Sequence, residues 1–115
     1  MRLECRKFLF DIQEACELVS RFTAGKSFAD YQADPLLRSG VERQFQIIGE
    51  ALNQMLKLEP NLADAISESR RIVAFRNILV HGYASVSNEV VWSALTNDVP
   101  SLRAEVSRLL EGTVP

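Results

Sequence analysis

Apolar residues recur every three or four positions along nearly the whole chain, the period of an α-helix with one buried face. Phe8, Ile12, Ala15, Val19 and Phe22 form the first stripe and predict a helix from about Leu3 to Thr23, ended by Gly25. Residues 26–34 carry no clear apolar period and read as a connecting loop. Asp34 followed by Pro35 is a cap and first-turn pair. It opens a second helix, to about Leu58, with Val41, Phe45, Ile48, Leu52 and Met55 facing inward. The same helix has a polar stripe, Glu42, Gln46, Gly49, Glu50 and Asn53. Pro60 stops it, and residues 61–69 read as a short helix or turn held in by Leu62 and Ile66.

From Ile72 to Val80 seven of nine residues are apolar, the exceptions being Arg76 and Asn77. Their β-branched content allows a buried strand on pattern alone. Helical neighbours on both sides, and no second strand to pair with, decide for a helix over residues 70–81, with Gly82 just past its end. The last helix starts near Ser87, a plausible N-cap, with Glu89 in its first turn. Val91, Leu95, Val99, Leu102, Val106 and Leu109 keep one stripe across Pro100, so the proline is expected to kink this helix rather than break it. The expected fold is all-α: a single domain over residues 1–115, built as an up-and-down bundle of four long helices with the last one kinked.

The polar exceptions in the third long element carry the candidate chemistry. An arginine in an apolar helix cannot shed its charge, so Arg76 needs a carboxylate, a phosphate or water. Asn77 stands beside it, and His81 and Tyr83 follow within seven residues. Arg70, Arg71 and Arg76 meet no acid in the sequence before Asn88, so the segment is locally positive. On a regular helix residues 76 and 81 diverge by about 140°. Either the backbone departs from the helix near Gly82, or a second chain completes the site. Two readings stand side by side. In one, Arg76 pairs with Glu50 or Glu42 and His81 caps the helix end. In the other, the segment handles phosphate. The polar stripe is a solvated face or a contact surface; Gly49, which costs about 1 kcal/mol in a helix relative to alanine, hints at close approach of another helix or a dimer.

Composition narrows the field. Thirteen basic against fifteen acidic residues in 115, a net charge of −2, exclude a strongly cationic nucleic-acid binder but leave room for a local phosphate site. His81 is the single histidine, and so the one ordinary proton carrier near neutral pH. Cys5 and Cys16, on one helix about 16 Å apart, cannot bridge each other. No apolar run is long enough for a membrane span, and the N-terminus lacks the uninterrupted apolar stretch of a signal peptide. A cytoplasmic location is expected. There is no phosphate-binding glycine loop and no two-cysteine zinc pair, so neither cofactor nor metal is expected.

The stretch Arg76–Asn77–Ile78–Leu79–Val80–His81–Gly82–Tyr83, an Arg-x4-His-x-Tyr arrangement, resembles the active-site motif of HEPN-domain ribonucleases. It is most similar to HepT-like toxins encoded beside a minimal nucleotidyltransferase antitoxin. Phe10-Asp11-Ile12, Val41-Glu42-Arg43, Ile48-Gly49-Glu50-Ala51, Val91-Trp92 and Asp98-Val99-Pro100 extend the resemblance over nearly the whole chain. Residues 62–69 lack the Pro-Trp pair of many relatives, and Ala84 stands where many carry an acid.

The resemblance implies a homodimeric, metal-independent endoribonuclease acting on RNA at a cleft between two chains. Arg76 and His81 would be catalytic and Asn77 would support them. Glu42, Gln46, Gly49 and Glu50 are candidates for a supporting or interface role. Tyr83 matches the tyrosine that the partner nucleotidyltransferase adenylylates; the added charged nucleotide would repel RNA. The residue chemistry agrees: metal-free cleavage needs a base, an acid and a cation, and one histidine per chain makes two per dimer. A net charge of −4 per dimer fits a confined site rather than an extended RNA track. A non-catalytic helical subunit that binds a nucleotide or a nucleotidyltransferase is the alternative.

Overall fold

Each long apolar stripe forms a helix. The computed structural model describes residues 1–81 and 87–112, apart from the side chain of residue 81. Its helices are α1 (Leu3–Thr23), α2 (Phe28–Ala33), α3 (Pro35–Leu58), α4 (Ser69–His81), α5 (Asn88–Ser93) and α6 (Val99–Gly112). A 3₁₀ helix, Pro60–Ala65, precedes α4, and a π-helical turn, Ala94–Asp98, joins α5 to α6. Among the described residues there is no strand. The all-α expectation holds, and the short α2 is added to the helices that the apolar stripes indicate.

The core lies where α1 packs on α3 and α6. Cys5, Leu9, Ile12, Cys16 and Val19 of α1 are fully buried against Val41, Ile48, Leu52 and Met55 of α3 and Val106 of α6. Phe22, expected on the buried stripe, is exposed at the helix end. Gly25 terminates α1 at a φ of +72°, a conformation open to glycine and strained for other residues. The Asp34 carboxylate accepts from the backbone N–H groups of Leu36 and Leu37 at 3.1 and 3.2 Å, and Pro35 fills the first position of α3.

The stretch read as a connecting loop contains α2. Six residues are too few to display a period, but a capping box starts this helix: Ser27 Oγ accepts from Asp30 N–H, and the Asp30 carboxylate accepts from Ser27 N–H. The box serves to bury Tyr31, whose ring centroid lies 5.5 Å from that of Trp92. Trp92 itself is only half-buried.

The last rod differs from a simple proline kink. The irregularity is the π turn immediately before Pro100, where Val99 N–H donates to Ala94 O, five residues back. A proline ring collides with the carbonyl four residues earlier, here that of Thr96, and a widened turn relieves the collision. The apolar stripe continues through it, ending on Leu110 rather than Leu109.

Among the described residues, helix α4 is covered on one side only. Leu79 is buried, while Ile78 is 47% and Val80 39% exposed. Between α4, α5 and α6 an open groove of about 430 Å³ is walled by Ile72, Phe75, Ile78, Val90 and Leu102. The seven apolar residues that suggested a buried element therefore form a half-covered one.

Candidate functional site

Helix α4 crosses α3 at Gly49, and the crossing holds Arg76. A Cβ built on Gly49 would lie 2.2 Å from Arg76 Cβ and 2.6 Å from Cγ, so the arginine stem fills the space of the absent side chain. Beyond the stem the guanidinium meets two partners. Its Nη2 pairs with the Glu50 carboxylate, and its Nη1 donates to Asn77 Oδ1 at 2.8 Å. Nε is enclosed, with no hydrogen-bond partner among the described residues. The Arg76 side chain is 23% exposed and that of Glu50 44%, so the pair stands at a rim rather than in the core. Glu50 also accepts from Gln54 Nε2 at 3.0 Å, which steadies it along α3.

Of the two acids considered for Arg76, Glu50 is the partner; Glu42 is half-buried on α3 and forms no ion pair with it. A guanidinium has five N–H donors, and the two contacts use one on each terminal nitrogen. With Nε enclosed, each terminal nitrogen keeps one N–H without a partner among the described residues, which suits an oxyanion or phosphate better than a fully spent structural arginine would.

The local positive charge inferred from sequence is partly neutralised in space. Arg71 contacts Asp98 at 2.5 Å and Glu68 at 3.3 Å. Arg70 is exposed and has no ion pair among the described residues. Around α4, Arg76 faces α3, whereas Arg70, Ala74 and Asn77 lie on the exposed side. The helix stays regular to residue 81, so positions 76 and 81 remain about 140° apart around its axis. One copy of α4 does not bring both to one face. The His81 side chain and Tyr83 lie outside the described residues.

The polar stripe of α3 is half-buried rather than a solvated face, and Gly49 within it is buried by α4. Gln46 Oε1 accepts from Arg43 Nη1 at 3.4 Å, and both border a cavity of about 240 Å³ between α1, α3 and α4 that also reaches Glu50 and Arg76. Phe8, Asp11 and Arg43 were not singled out from sequence as site residues. The spacing of Arg43, Gln46, Ile47 and Glu50, one face of a helix, was the available signal. Among the described residues no three His, Cys, Asp or Glu side chains are grouped to hold a metal ion, and no helix is long and apolar enough to cross a membrane.

The described residues form an all-helical domain with an arginine lodged at a helix crossing, five residues ahead in sequence of the chain's single histidine. Comparison with known families gives that domain its class: residues 12–109 match the model described as "Ribonuclease HepT-like". The chain belongs to this HepT-like family of HEPN domains. It is 32% identical over 113 residues to a protein of Thermococcus cleftensis named "Probable ribonuclease HepT", covering 95% of this chain and 98% of that one. It is 29% identical over 106 residues to a "Putative RNase" of Caldanaerobacter subterraneus subsp. tengcongensis, covering 92% and 94%. No solved structure matches the chain.

Proposed function

We propose that the chain is a metal-independent endoribonuclease that works as a homodimer and serves as the toxin of a pair with a minimal nucleotidyltransferase. The observation that carries this reading is Arg76: a permanently charged fork seated on Gly49 and paired with Glu50, in a chain of the HepT-like family.

In the proposed reaction His81 takes the proton of a ribose 2′-hydroxyl. The 2′-oxygen attacks the adjacent phosphorus, and Arg76 stabilises the charge that develops on the non-bridging oxygens. The P–O5′ bond breaks, and His81 of the partner subunit delivers a proton to the leaving 5′-oxygen, giving a 2′,3′-cyclic phosphate and a 5′-hydroxyl. The 140° divergence of positions 76 and 81 supports the second chain's participation, because it leaves Arg76 and His81 of one helix on different faces. Asn77, bonded to Arg76 Nη1, holds the fork against rotation. Adenylylation of Tyr83 by the nucleotidyltransferase partner would add a nucleotide's negative charge close to His81 in sequence and repel RNA.

The test is cleavage of RNA by the purified chain in excess EDTA. Wild type is expected to cut, and Arg76→Ala and His81→Ala to lose cutting while remaining folded dimers by circular dichroism and light scattering. Cutting that survives both substitutions would overturn the assignment. Absence of cutting, with nucleotide or nucleotidyltransferase binding that Arg76→Ala weakens, would instead support the non-catalytic subunit.

A further inference from the structure

We infer that the cavity beside Arg76 is a nucleobase subsite, taking the base next to the phosphate that Arg76 engages, with Gln46 and Arg43 reading the base edge. The inference rests on the ribonuclease reading for its RNA and on the cavity's own lining for its chemistry.

The cavity, about 240 Å³, is amphiphilic. Phe8 of α1, Ile47 of α3 and Val80 of α4 supply apolar surface; Asp11, Arg43 and Gln46 supply polar groups beside it. Its polar end is continuous with the site, since Arg76 and Glu50 line it too. Gln46 precedes Glu50 by one helical turn, about 6 Å along α3. That is a reach a ribose can span between a phosphate and its own base.

The lining discriminates among occupants. A second phosphate would meet the carboxylates of Asp11 and Glu50, and a wholly apolar group would offer Arg43 and Gln46 no bond beyond the one they make to each other. A base has flat apolar faces and an edge of donors and acceptors, and RNA is read in sequence mostly through such unstacked bases. The reading groups are nearly free. Arg43 and Gln46 share one contact at 3.4 Å, the outer limit of a hydrogen bond, so an incoming edge can replace it. In the larger groove by α5 the polar groups already have partners among the described residues: Arg71 is held by Asp98 and Glu68, Ser93 accepts from Asn97, and Glu89 accepts from Ser87.

Two measurements on the full chain test the subsite. In the first, RNA with randomised positions is cut and the new ends are sequenced. Wild type is expected to prefer one base beside the cut, and Gln46→Ala and Arg43→Gln to reduce that preference about tenfold. Cutting by both variants with the wild-type preference would overturn the subsite and leave the ribonuclease reading intact. In the second, the four nucleoside 3′-monophosphates are titrated by NMR against wild type and both variants. Unequal binding that the substitutions level supports the subsite even if wild type cuts no RNA, which would overturn only the ribonuclease reading. Equal binding of all four, or binding indifferent to both substitutions, would overturn the subsite.

Discussion

Gly49 and Arg76 occupy one space: the glycine's missing Cβ is the seat of the arginine's Cβ and Cγ. The contact is made by the stem of Arg76 and not by its flexible end, so a methyl group at position 49 cannot be avoided by a rotamer change. The helices themselves must part. That makes Gly49 the residue on which the approach of α4 to α3 depends, and it links helix packing directly to the position of the candidate catalytic fork.

Gly49→Ala is therefore expected to destabilise the fold despite alanine's better helix propensity. The gain in propensity is about 1 kcal/mol. Forcing a buried contact apart costs about 1–3 kcal/mol. A net loss in urea denaturation is expected, with a fall in RNA cleavage of about a hundredfold from displacement of Arg76. Unchanged stability and unchanged cleavage together would show that α4 does not depend on this seat.

Glu50 orients Arg76 through charge and hydrogen bonding at once, and two substitutions separate the effects. Glu50→Ala frees the fork and is expected to lower kcat about tenfold or more, as loss of a hydrogen bond to a charged group does. Glu50→Gln keeps an acceptor in place and is expected to restore most of kcat. It also removes a negative charge near the phosphate, so KM for RNA should fall. Stability should change by about 1 kcal/mol or less in either variant, because the pair is partly exposed. Equal kcat in all three proteins would remove Glu50 from the site.

The long helices and the Arg76 segment were legible because each depends on residues within a few turns. Leu3–Thr23 and Pro35–Leu58 have the bounds that their stripes, Gly25 and the Asp34–Pro35 pair indicate. What escaped the pattern was decided across helices. That Arg76 chooses Glu50 over Glu42, and that Arg71 finds Asp98, depends on the crossing of α3 with α4 and the course of the chain after α5, which no local period encodes. The cavity at Arg43 and Gln46 is likewise a property of three helices together. The α2 helix was missed for another reason: its signal lay in a cap, Ser27 with Asp30, and not in any stripe.

That cap is testable by itself. Ser27→Ala removes an N-cap and is expected to cost about 1 kcal/mol. The loss should be visible in Trp92 fluorescence, since α2 carries Tyr31 and Phe28 against that ring. The hydrogen bonds from Ser27 N–H and its hydroxyl hold the Asp30 carboxyl below its usual value of 3.8. A depressed carboxyl contributes stability that is present above the unfolded value and disappears as pH falls through the lower folded one. The stability that the Asp30 carboxylate lends to this cap should therefore fall in strong acid, below about pH 4, and Asp30→Asn should remove that dependence of the Trp92 signal.

Cys16 gives the opposite dependence on pH. Its thiol is fully buried between α1 and the rest of the core, and burial, partly offset by Arg103, pushes its pKa from 9.0 up to about 12. Between these values the unfolded thiol loses its proton while the folded one keeps it. The folded state then binds more protons, so stability falls as pH rises from about 9 towards 12. The same burial withholds the thiolate that alkylating reagents require. Cys5 is equally enclosed, its thiol donating to Met55 O at 3.9 Å. Native protein at pH 8 is expected to take up no iodoacetamide at either cysteine, and protein in concentrated urea to take up two. Cys16→Ala should reduce the alkaline loss of stability measured by urea titration at pH 8 and pH 10 without abolishing it, because burial pushes up Cys5 and Tyr31 as well. A loss of the same size in wild type and variant would assign the alkaline sensitivity to another group.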